Sequence, residues 1–208
     1  MSGASKIRGY VLAGGASSRF GTDKALAELQ GKSMLMRTAE LLSAVCSNVA
    51  IVAPTDKLLD SSVETILDGW PGEGPLGGIL TALLDAKKKD RSDSWNLILS
   101  CDMPFLTHDW LAFLMQRTLQ SGGEAVVPQS AHGLEPLCAC WKTSAHETIS
   151  ATFDSGTRKV TEALRKLRME ILDEQDWKRF DTSGRLFWNM NTFADYEEAR
   201  RAIAMENL

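Results

Sequence analysis

The chain has 208 residues, of which 44% are hydrophobic, and its 27 acidic against 23 basic residues give a formal net charge of −4. This length and composition predict one compact α/β domain over residues 1–208, with enough apolar side chains for a core. An acidic chain repels polyanions unless its basic residues are gathered locally. We therefore expect no nucleic-acid partner and no membrane partner, and we expect any bound anion to be small.

Cysteine usage and the N-terminal residues bear on location. The apolar run near the start of the chain is too short for a signal peptide, and no stretch approaches the length of a transmembrane helix. The cysteines form no CxxC pair; they are Cys46, Cys101, Cys138 and Cys140. This usage predicts a reduced, cytoplasmic protein without a structural zinc ion. We also expect Cys138 and Cys140 to share one face of a strand.

Short β-branched runs alternate with segments of helical spacing along the chain. We predict strands at residues 7–12, 49–53, 63–67, 96–100, 125–127, 137–141 and 187–190. Helices are predicted within residues 32–45, 76–89, 108–120 and 143–153. A last helix, with Thr192 and Asp195 as its capping box, is predicted from Phe193 to near Met205. Because helices that follow strands are typical of parallel-sheet crossovers, the pattern predicts a doubly wound α/β fold.

The first predicted strand runs directly into a glycine-containing loop, VLAGGASSRFGTDKAL at residues 11–26. In α/β sheets this loop is a common phosphate site, because backbone N–H groups point outward there. The Rossmann spacing GxGxxG fails, since Ala16 and Arg19 occupy the later glycine positions counted from Gly14. A Walker A loop fails as well, because Leu26 stands where the first glycine of that motif is required before residues 31–33.

An adjacent pair of glycines and two cations nevertheless remain in this loop. Gly14 and Gly15 allow the backbone to fold tightly around an oxygen, and Arg19 and Lys24 can bring two positive charges to one polyphosphate. This combination predicts a site for a nucleoside triphosphate. A glycine turn with two solvated cations is the alternative interpretation.

Oxygen ligands follow two of the predicted strands. Asp102 ends an apolar strand just before Pro104, which places its carboxylate at the carboxyl edge of the sheet, beside the first loop. It is a hard ligand of the kind that Mg²⁺ takes alongside phosphate oxygens, and the alternative is a cap for the next helix. Asn189 and Asn191 face one side of an extended segment. Asn191 can offer an oxygen to the same metal, or both amides can satisfy loop backbone.

A further carboxylate opens the glycine-rich loop DGWPGEGPLGG. Asp68 at its start can accept the adjacent N1–H and N2–H₂ donors of guanine, a pair that adenine and cytosine lack. Gly77 and Gly78 would let the base lie against the start of the next helix. Turn initiation by Asp68 is the alternative interpretation.

Five segments together resemble the molybdenum cofactor guanylyltransferases in order and spacing: LAGGASSRFGTDKAL, GPLGGILTAL, LILSCDMPFL, EPLCACW and FWNMNTFADYEEA. The resemblance extends over nearly the whole chain. It implies a Rossmann-like α/β nucleotidyltransferase fold with a mostly parallel central sheet and helices on both faces. It also implies Mg²⁺-dependent transfer of GMP from GTP to the terminal phosphate of molybdopterin, with release of pyrophosphate.

The resemblance also implies residue roles by motif match. GTP contacts fall on Leu12, Ala13, Gly14, Lys24, Asp68 and Asp102, the last of which is implied to hold the metal. From the residues themselves we add Gly15 and Gly77 as nucleotide contacts and Asn191 as a second metal ligand. We expect catalysis to rest on Arg19, Lys24 and Asp102. No base is needed, because a phosphate monoester is already largely anionic at neutral pH.

Two positions depart from the family pattern. Ala53 stands where an asparagine is common, and Phe193 replaces the usual proline after Asn-Thr, so any nucleotide contact there is lost or supplied by backbone. On the side of the second substrate, Arg158 and Lys159 are candidates for the molybdopterin phosphate, with Asn189 as a third contact. A solvated helix face is the alternative for the two cations.

Other functions remain open at the level of the sequence. One is a related nucleotidyltransferase that uses CTP or a sugar phosphate, and Asn191, where those branches tend to carry aspartate, favours the guanylyl branch. Another is a catalytically silent nucleotide-binding or handover module, which the joint presence of Arg19, Lys24 and Asp102 disfavours. The expected partners are GTP, molybdopterin and transient molybdenum-cofactor handover proteins.

Overall fold

The structure is a computed structural model that describes residues 7–14, 24–54, 62–89 and 93–206. Its strands are β1 (Arg8–Leu12), β2 (Glu28–Leu29), β3 (Lys32–Ser33), β4 (Asn48–Ala53), β5 (Glu64–Leu67), β6 (Trp95–Ser100), β7 (Ala125–Ser130), β8 (Gly133–Leu134), β9 (Cys138–Lys142) and β10 (Met169–Leu172). Its α-helices are α1 (Met34–Ser43), α2 (Pro75–Lys89), α3 (His108–Gln120), α4 (His146–Asp154), α5 (Val160–Leu164), α6 (Glu174–Trp177) and α7 (Phe193–Glu206). Short 3-10 helices span Lys24–Leu26, Thr143–Ala145 and Lys178–Phe180.

The central sheet is mostly parallel, as predicted. Its strand order is β10-β7-β9-β6-β1-β4-β5, and β8 pairs with β7 beside this path. β1 runs parallel to both β4 and β6, β4 to β5, and β7 to β10, whereas β9 runs antiparallel to β6 and β7. The chain moves outward from β1 in one direction and then in the other. Ligands of such sheets bind beyond the carboxyl ends of the strands at this reversal.

Helices cover both faces of the sheet, which confirms the doubly wound plan. On one face α1 and α3 pack on inward side chains of β1, β4 and β6, with Leu42, Trp110 and Val11 among the contacts. On the other face α2, α4 and α5 pack on the alternate side chains of the same strands, such as Tyr10. Cys138 and Cys140 both point into the first of these clusters, so they share one face of β9. A third cluster joins α7 to the β2–β3 hairpin.

The prediction of a strand at residues 187–190 is wrong. This segment lies outside the sheet in turns and irregular backbone, yet Phe187 and Met190 are buried. Phe187 packs edge-on against Trp110 and Trp177, with ring centroids 5.5 and 5.2 Å apart. The apolar run is explained by side-chain packing against the aromatic residues under the sheet rather than by strand pairing.

The predicted capping box of the last helix is confirmed. The Thr192 hydroxyl accepts from the N–H of Asp195 at 3.2 Å, and Asp195 Oδ2 accepts from the N–H of Thr192 at 2.7 Å. Smaller elements without a clear sequence signal were not predicted, namely β2, β3, β8, β10, α5 and α6. Among the helices in the described ranges, none is both long and apolar enough to cross a membrane.

Candidate active site

A cleft of about 380 Å³ opens beyond the carboxyl ends of β1, β4 and β5. Its walls come from the end of β1, the end of β4, the residue after β5 and the start of α2. The lining residues are Leu12, Gly14, Val52, Pro54, Asp68, Gly72, Gly74, Pro75 and Gly78. Several predicted nucleotide contacts thus border a single cavity at the predicted edge of the sheet.

Backbone pairing shapes the wall formed by β1. The buried Ala13 donates its N–H to the Val52 carbonyl at 2.9 Å, which extends the β1–β4 pairing by one residue. This leaves the Ala13 carbonyl, rather than its N–H, for any nucleotide contact. The next residue, Gly14, is exposed at the cleft.

Most of the predicted phosphate loop lies outside the described residues. Gly15 and Arg19 lie outside the described residues, so their roles remain predictions. For Lys24 the structure gives the backbone alone, at the start of the 3-10 helix Lys24–Leu26.

Asp68 is held in a hydrogen-bond network at the rim of the cleft. Its N–H donates to the Ala53 carbonyl at 2.8 Å, and its Oδ1 accepts from the Trp70 N–H at 3.0 Å and from the Thr81 hydroxyl at 2.8 Å. The Trp70 bond is the turn-forming role that the sequence offered as an alternative. Both side-chain bonds end on Oδ1, and the described residues place no hydrogen bond on Oδ2. Asp68 therefore both forms the turn and presents a carboxylate oxygen at the cleft.

The two glycines at the start of α2 differ in their surroundings. Gly78 lines the cleft, and a Cβ there would lie 3.4 Å from the Leu12 side chain. Gly77 is not among the described lining residues. A Cβ on Gly77 would lie 3.0 Å from Trp70 Cβ and 3.2 Å from the Trp70 carbonyl oxygen. Gly77 thus allows the Asp68–Trp70 turn to pack on α2, whereas Gly78 borders the cleft.

Asp102 lies at the same edge of the sheet, in the turn that follows β6, and is half-buried. It does not cap α3, because Thr107 does so by accepting from the Trp110 N–H at 3.3 Å. The Asp102 carbonyl accepts from the Met190 N–H at 2.9 Å. This bond brings the segment containing both predicted asparagines next to Asp102.

The two asparagines of that segment take different positions. Asn191 is exposed, and its N–H donates to Asp195 Oδ2 at 2.7 Å, so the capping box of α7 also fixes its backbone. Asn189 donates its side-chain amide to the Phe187 carbonyl at 3.1 Å, which is the structural role given as the alternative. The structure brings Asn191 and Asp102 into neighbouring turns. Their roles as ligands remain predictions.

Two of the three predicted contacts to the second substrate, Arg158 and Lys159, lie between α4 and α5. Arg158 donates from Nε to Glu73 Oε2 at 2.6 Å and from Nη1 to the Phe153 carbonyl at 2.8 Å, and its guanidinium lies 3.8 Å from the Phe153 ring centroid. Lys159 is exposed directly before α5. Because Glu73 stands between two glycines that line the cleft, Arg158 is tied to the nucleotide side of the site.

Two acidic residues at the site were missed in the sequence analysis. Glu73 is the only acidic residue in the segment PGEGP. A single charged residue among glycines and prolines was a signal for a functional side chain in this loop. Glu135 stands between β8 and β9 in the run GLEPLC and is 8% exposed. Burial is the largest cause that raises the pKa of its carboxyl group, and the charge of Asp102 raises it further. A glutamate between the apolar residues Leu134 and Pro136 was the signal for a buried carboxylate.

Comparison with known proteins identifies the family. Residues 9–170 match the family model described as the MobA-like NTP transferase domain. The chain belongs to this family. A molybdenum cofactor guanylyltransferase from Desulfosudis oleivorans is 32% identical over 200 residues, which cover 95% of this chain and 96% of that protein. A probable molybdenum cofactor guanylyltransferase from Bacillus cereus is 28% identical over 208 residues, covering 97% and 100%.

The solved structures agree with the family of MobA-like NTP transferases. Molybdopterin-guanine dinucleotide biosynthesis protein A from Archaeoglobus fulgidus superposes with a TM-score of 0.81 at 25% identity, covering 96% of this chain and 100% of that one. The predicted Rossmann-like nucleotidyltransferase fold is confirmed by this likeness and by the sheet. The chain is accordingly a nucleotidyltransferase of the MobA-like family.

Proposed function

We propose that this chain transfers GMP from GTP to the terminal phosphate of molybdopterin and releases pyrophosphate. The names of the relatives from Desulfosudis oleivorans and Archaeoglobus fulgidus support this reaction. The observation that carries it is the position of Asp68, whose carboxylate stands at the rim of the cleft, while Asp102 follows β6 at the same edge of the sheet.

Guanine recognition is assigned to Asp68. A carboxylate can accept from the N1–H and N2–H₂ groups of guanine together, whereas adenine and cytosine present a different edge. The bonds from Trp70 and Thr81 to Oδ1 fix the orientation of the carboxylate before the nucleotide arrives. Gly78 and Leu12 form the apolar wall against which the base lies.

The transfer step needs positioning and charge neutralisation more than proton transfer. An oxygen of the molybdopterin phosphate forms a bond to the α-phosphorus of GTP, the bond from this phosphorus to the bridging oxygen breaks, and pyrophosphate leaves with the electron pair. The attacking phosphate has a second pKa of about 6, so its oxygen is already anionic. We assign the neutralisation of phosphate charge to Arg19 and Lys24.

The side chains near Asp102 suit Mg²⁺. Within the described ranges, no group of three or more His, Cys, Asp or Glu side chains could hold a metal. One carboxylate from Asp102 and the amide oxygen of Asn191 are the incomplete, all-oxygen set that Mg²⁺ accepts when substrate phosphates and waters supply the remaining ligands. When bound, the ion would neutralise phosphate charge in the transition state.

The phosphate of the second substrate is assigned to Arg158 and Lys159, with Asn189 as a further contact. Arg158 and its partner Glu73 are both partly exposed to solvent. An incoming phosphate can therefore compete with the Glu73 carboxylate for the guanidinium. We also propose that the enzyme works in the cytoplasm and passes its product on through transient contacts with handover proteins.

Pyrophosphate release with Mg²⁺ and molybdenum-loaded molybdopterin tests the proposal. GTP, CTP and ATP are compared with the purified protein, and release is expected with GTP alone. Release with CTP would assign the chain to a cytidylyl reaction of the same chemistry. Absence of release with every nucleotide would contradict the proposed reaction.

A further inference from the structure

Glu135 lies near Asp102 at the carboxyl edge of the sheet. β9 begins at Cys138 opposite Leu99 of β6, and the pairing continues in a bond from the Ser100 N–H to the Leu137 carbonyl at 2.9 Å. Because β9 is antiparallel to β6, the residues before Leu137 lie alongside those that follow Ser100. Glu135 therefore approaches the turn of Asp102.

The protein holds Glu135 firmly in this place. Its N–H donates to the Pro128 carbonyl at 2.8 Å, and its own carbonyl accepts from the Cys138 N–H at 3.1 Å. The Ser130 hydroxyl donates to Oε1 at 2.6 Å. In the described part of the chain, no hydrogen bond ends on Oε2. A carboxylate that is 8% exposed keeps one oxygen for a donor from outside the protein.

Glu135 and Asp68 stand on opposite sides of Asp102. Along the sheet edge, Glu135 lies between β7 and β9, Asp102 follows β6, and Asp68 follows β5. The nucleotide cleft occupies the β1, β4 and β5 side. The reacting phosphate of the second substrate lies toward the nucleotide, so the part of that substrate remote from its phosphate is left the side of β9 and β7, where Glu135 is the buried acid.

The chemistry of the second substrate matches this carboxylate. A pterin ring carries a 2-amino group next to N3–H, which is the same pair of adjacent donors that guanine presents. We propose that Glu135 accepts hydrogen bonds from these two groups and so selects the pterin ring of the acceptor. The site then recognises two aminopyrimidine edges with two carboxylates, Asp68 for the nucleotide and Glu135 for the acceptor. This inference rests on the proposed function, which supplies the pterin.

Direct binding of two small probes tests the inference without turnover. Fluorescence titrations compare 6-hydroxymethylpterin with 6-hydroxymethyllumazine, in which an oxo group replaces the 2-amino group. The wild-type protein should bind the pterin about 10- to 100-fold more tightly, because the lumazine oxygen faces the carboxylate. Glu135→Gln should abolish this preference and leave GTP affinity unchanged.

Two further variants separate recognition from a structural role. Ser130→Ala removes the bond to Oε1 but keeps the carboxylate, so the preference for the pterin should persist. Glu135→Asp keeps the charge but withdraws it by one methylene, and should weaken pterin binding while the fold is retained. Thermal stabilisation by GTP checks that each variant folds.

The outcomes distinguish this inference from the proposed function. An equal affinity of the wild-type protein for both probes, or no measurable pterin binding, would overturn the role of Glu135. A preference that survives Glu135→Gln would do the same. The wild-type protein could instead prefer the pterin, lose this preference in Glu135→Gln, and yet release no pyrophosphate with any nucleotide. That result would contradict the proposed reaction and leave pterin recognition by Glu135 standing.

Discussion

Asp68 borders the cleft and accepts its side-chain hydrogen bonds from the described residues on Oδ1, so its charge can be removed at nearly constant shape. Asp68→Asn keeps an acceptor but replaces one oxygen by a donor that opposes the N–H groups of guanine. We expect the KM for GTP to rise about 10- to 100-fold. The preference for GTP over ITP, which lacks the 2-amino group, should fall as well. Steady-state pyrophosphate release with both nucleotides measures the two effects.

Thr81→Val is the matched control for Asp68. It removes the hydroxyl bond to Oδ1 and keeps the carboxylate with its bond from the Trp70 N–H. We expect a smaller rise in KM and an unchanged preference for GTP over ITP. An identical loss of selectivity in both variants would assign recognition to the turn as a whole and not to the carboxylate.

Asp102 differs from other aspartates of the chain because it ends a buried strand beside the segment of Asn191. Asp102→Ala should lower metal-dependent pyrophosphate release by at least about 100-fold and leave the unfolding temperature nearly unchanged, because the lost carboxylate is assigned to hold Mg²⁺ and not to support the fold. A titration of the rate with Mg²⁺ measures the effect. Asp109→Ala, on the exposed first turn of α3, is the control and should retain full activity. Normal turnover of Asp102→Ala at ordinary Mg²⁺ concentration would contradict the assignment.

At the scale of elements, the packing of α2 on the Asp68–Trp70 turn makes two adjacent glycines unequal. Alanine generally stabilises a helix by up to about 1 kcal/mol relative to glycine. At Gly77 the new methyl group would meet the Trp70 backbone oxygen at 3.2 Å, and this contact cannot be relieved by a side-chain rotation. At Gly78 it would meet only the ends of the Leu12 side chain at 3.4 Å.

We therefore expect Gly77→Ala to destabilise the protein by about 1 to 3 kcal/mol and Gly78→Ala to be neutral or stabilising. Urea unfolding of both variants measures the difference. Each glycine serves as the control for the other, since they share one helix turn. Equal stabilities would mean that Trp70 moves freely away from α2.

The sheet shows what the sequence could and could not predict. β1, β4 and β6 are buried on both faces, so each reads as an unbroken apolar run. The apolar run that begins at Phe187 predicts a strand in the same way, yet this segment packs against Trp110 and does not join the sheet. β10 escaped prediction because it is an edge strand, and its Glu170 is paired with Arg117 at 2.8 Å. Only the tertiary contacts separate these cases.

At the scale of the whole molecule, the candidate site joins segments that are distant in the chain. Asp68 and Asp102 were predictable because each ends an apolar strand at the carboxyl edge. Glu135 carries no such positional signal, since its burial depends on how β9 pairs with β6. Arg158 was predicted to bind the phosphate of the second substrate. Its ion pair with Glu73, which joins the α4–α5 segment to the loop before α2, follows only from the fold.

Because the core buries cysteine side chains, the stability of the folded protein depends on pH. Burial raises the pKa of the Cys46 and Cys140 thiols to about 12 and raises that of Cys138 further. An unfolded thiol has a pKa of about 8.5, so the native state binds more protons above this pH and its stability falls as pH rises. Between pH 8.0 and 9.5 the expected loss is about 1 kcal/mol for each thiol.

Urea unfolding under reducing conditions at these two pH values measures the loss. Cys140→Ala should remove about 1 kcal/mol of the pH-dependent part, because the Cys140 thiol no longer ionises on unfolding. Its lower absolute stability does not affect this comparison, since only the difference between the two pH values is used. A pH dependence equal to that of the wild-type protein would show that the Cys140 thiol ionises as readily in the folded core as in the unfolded chain.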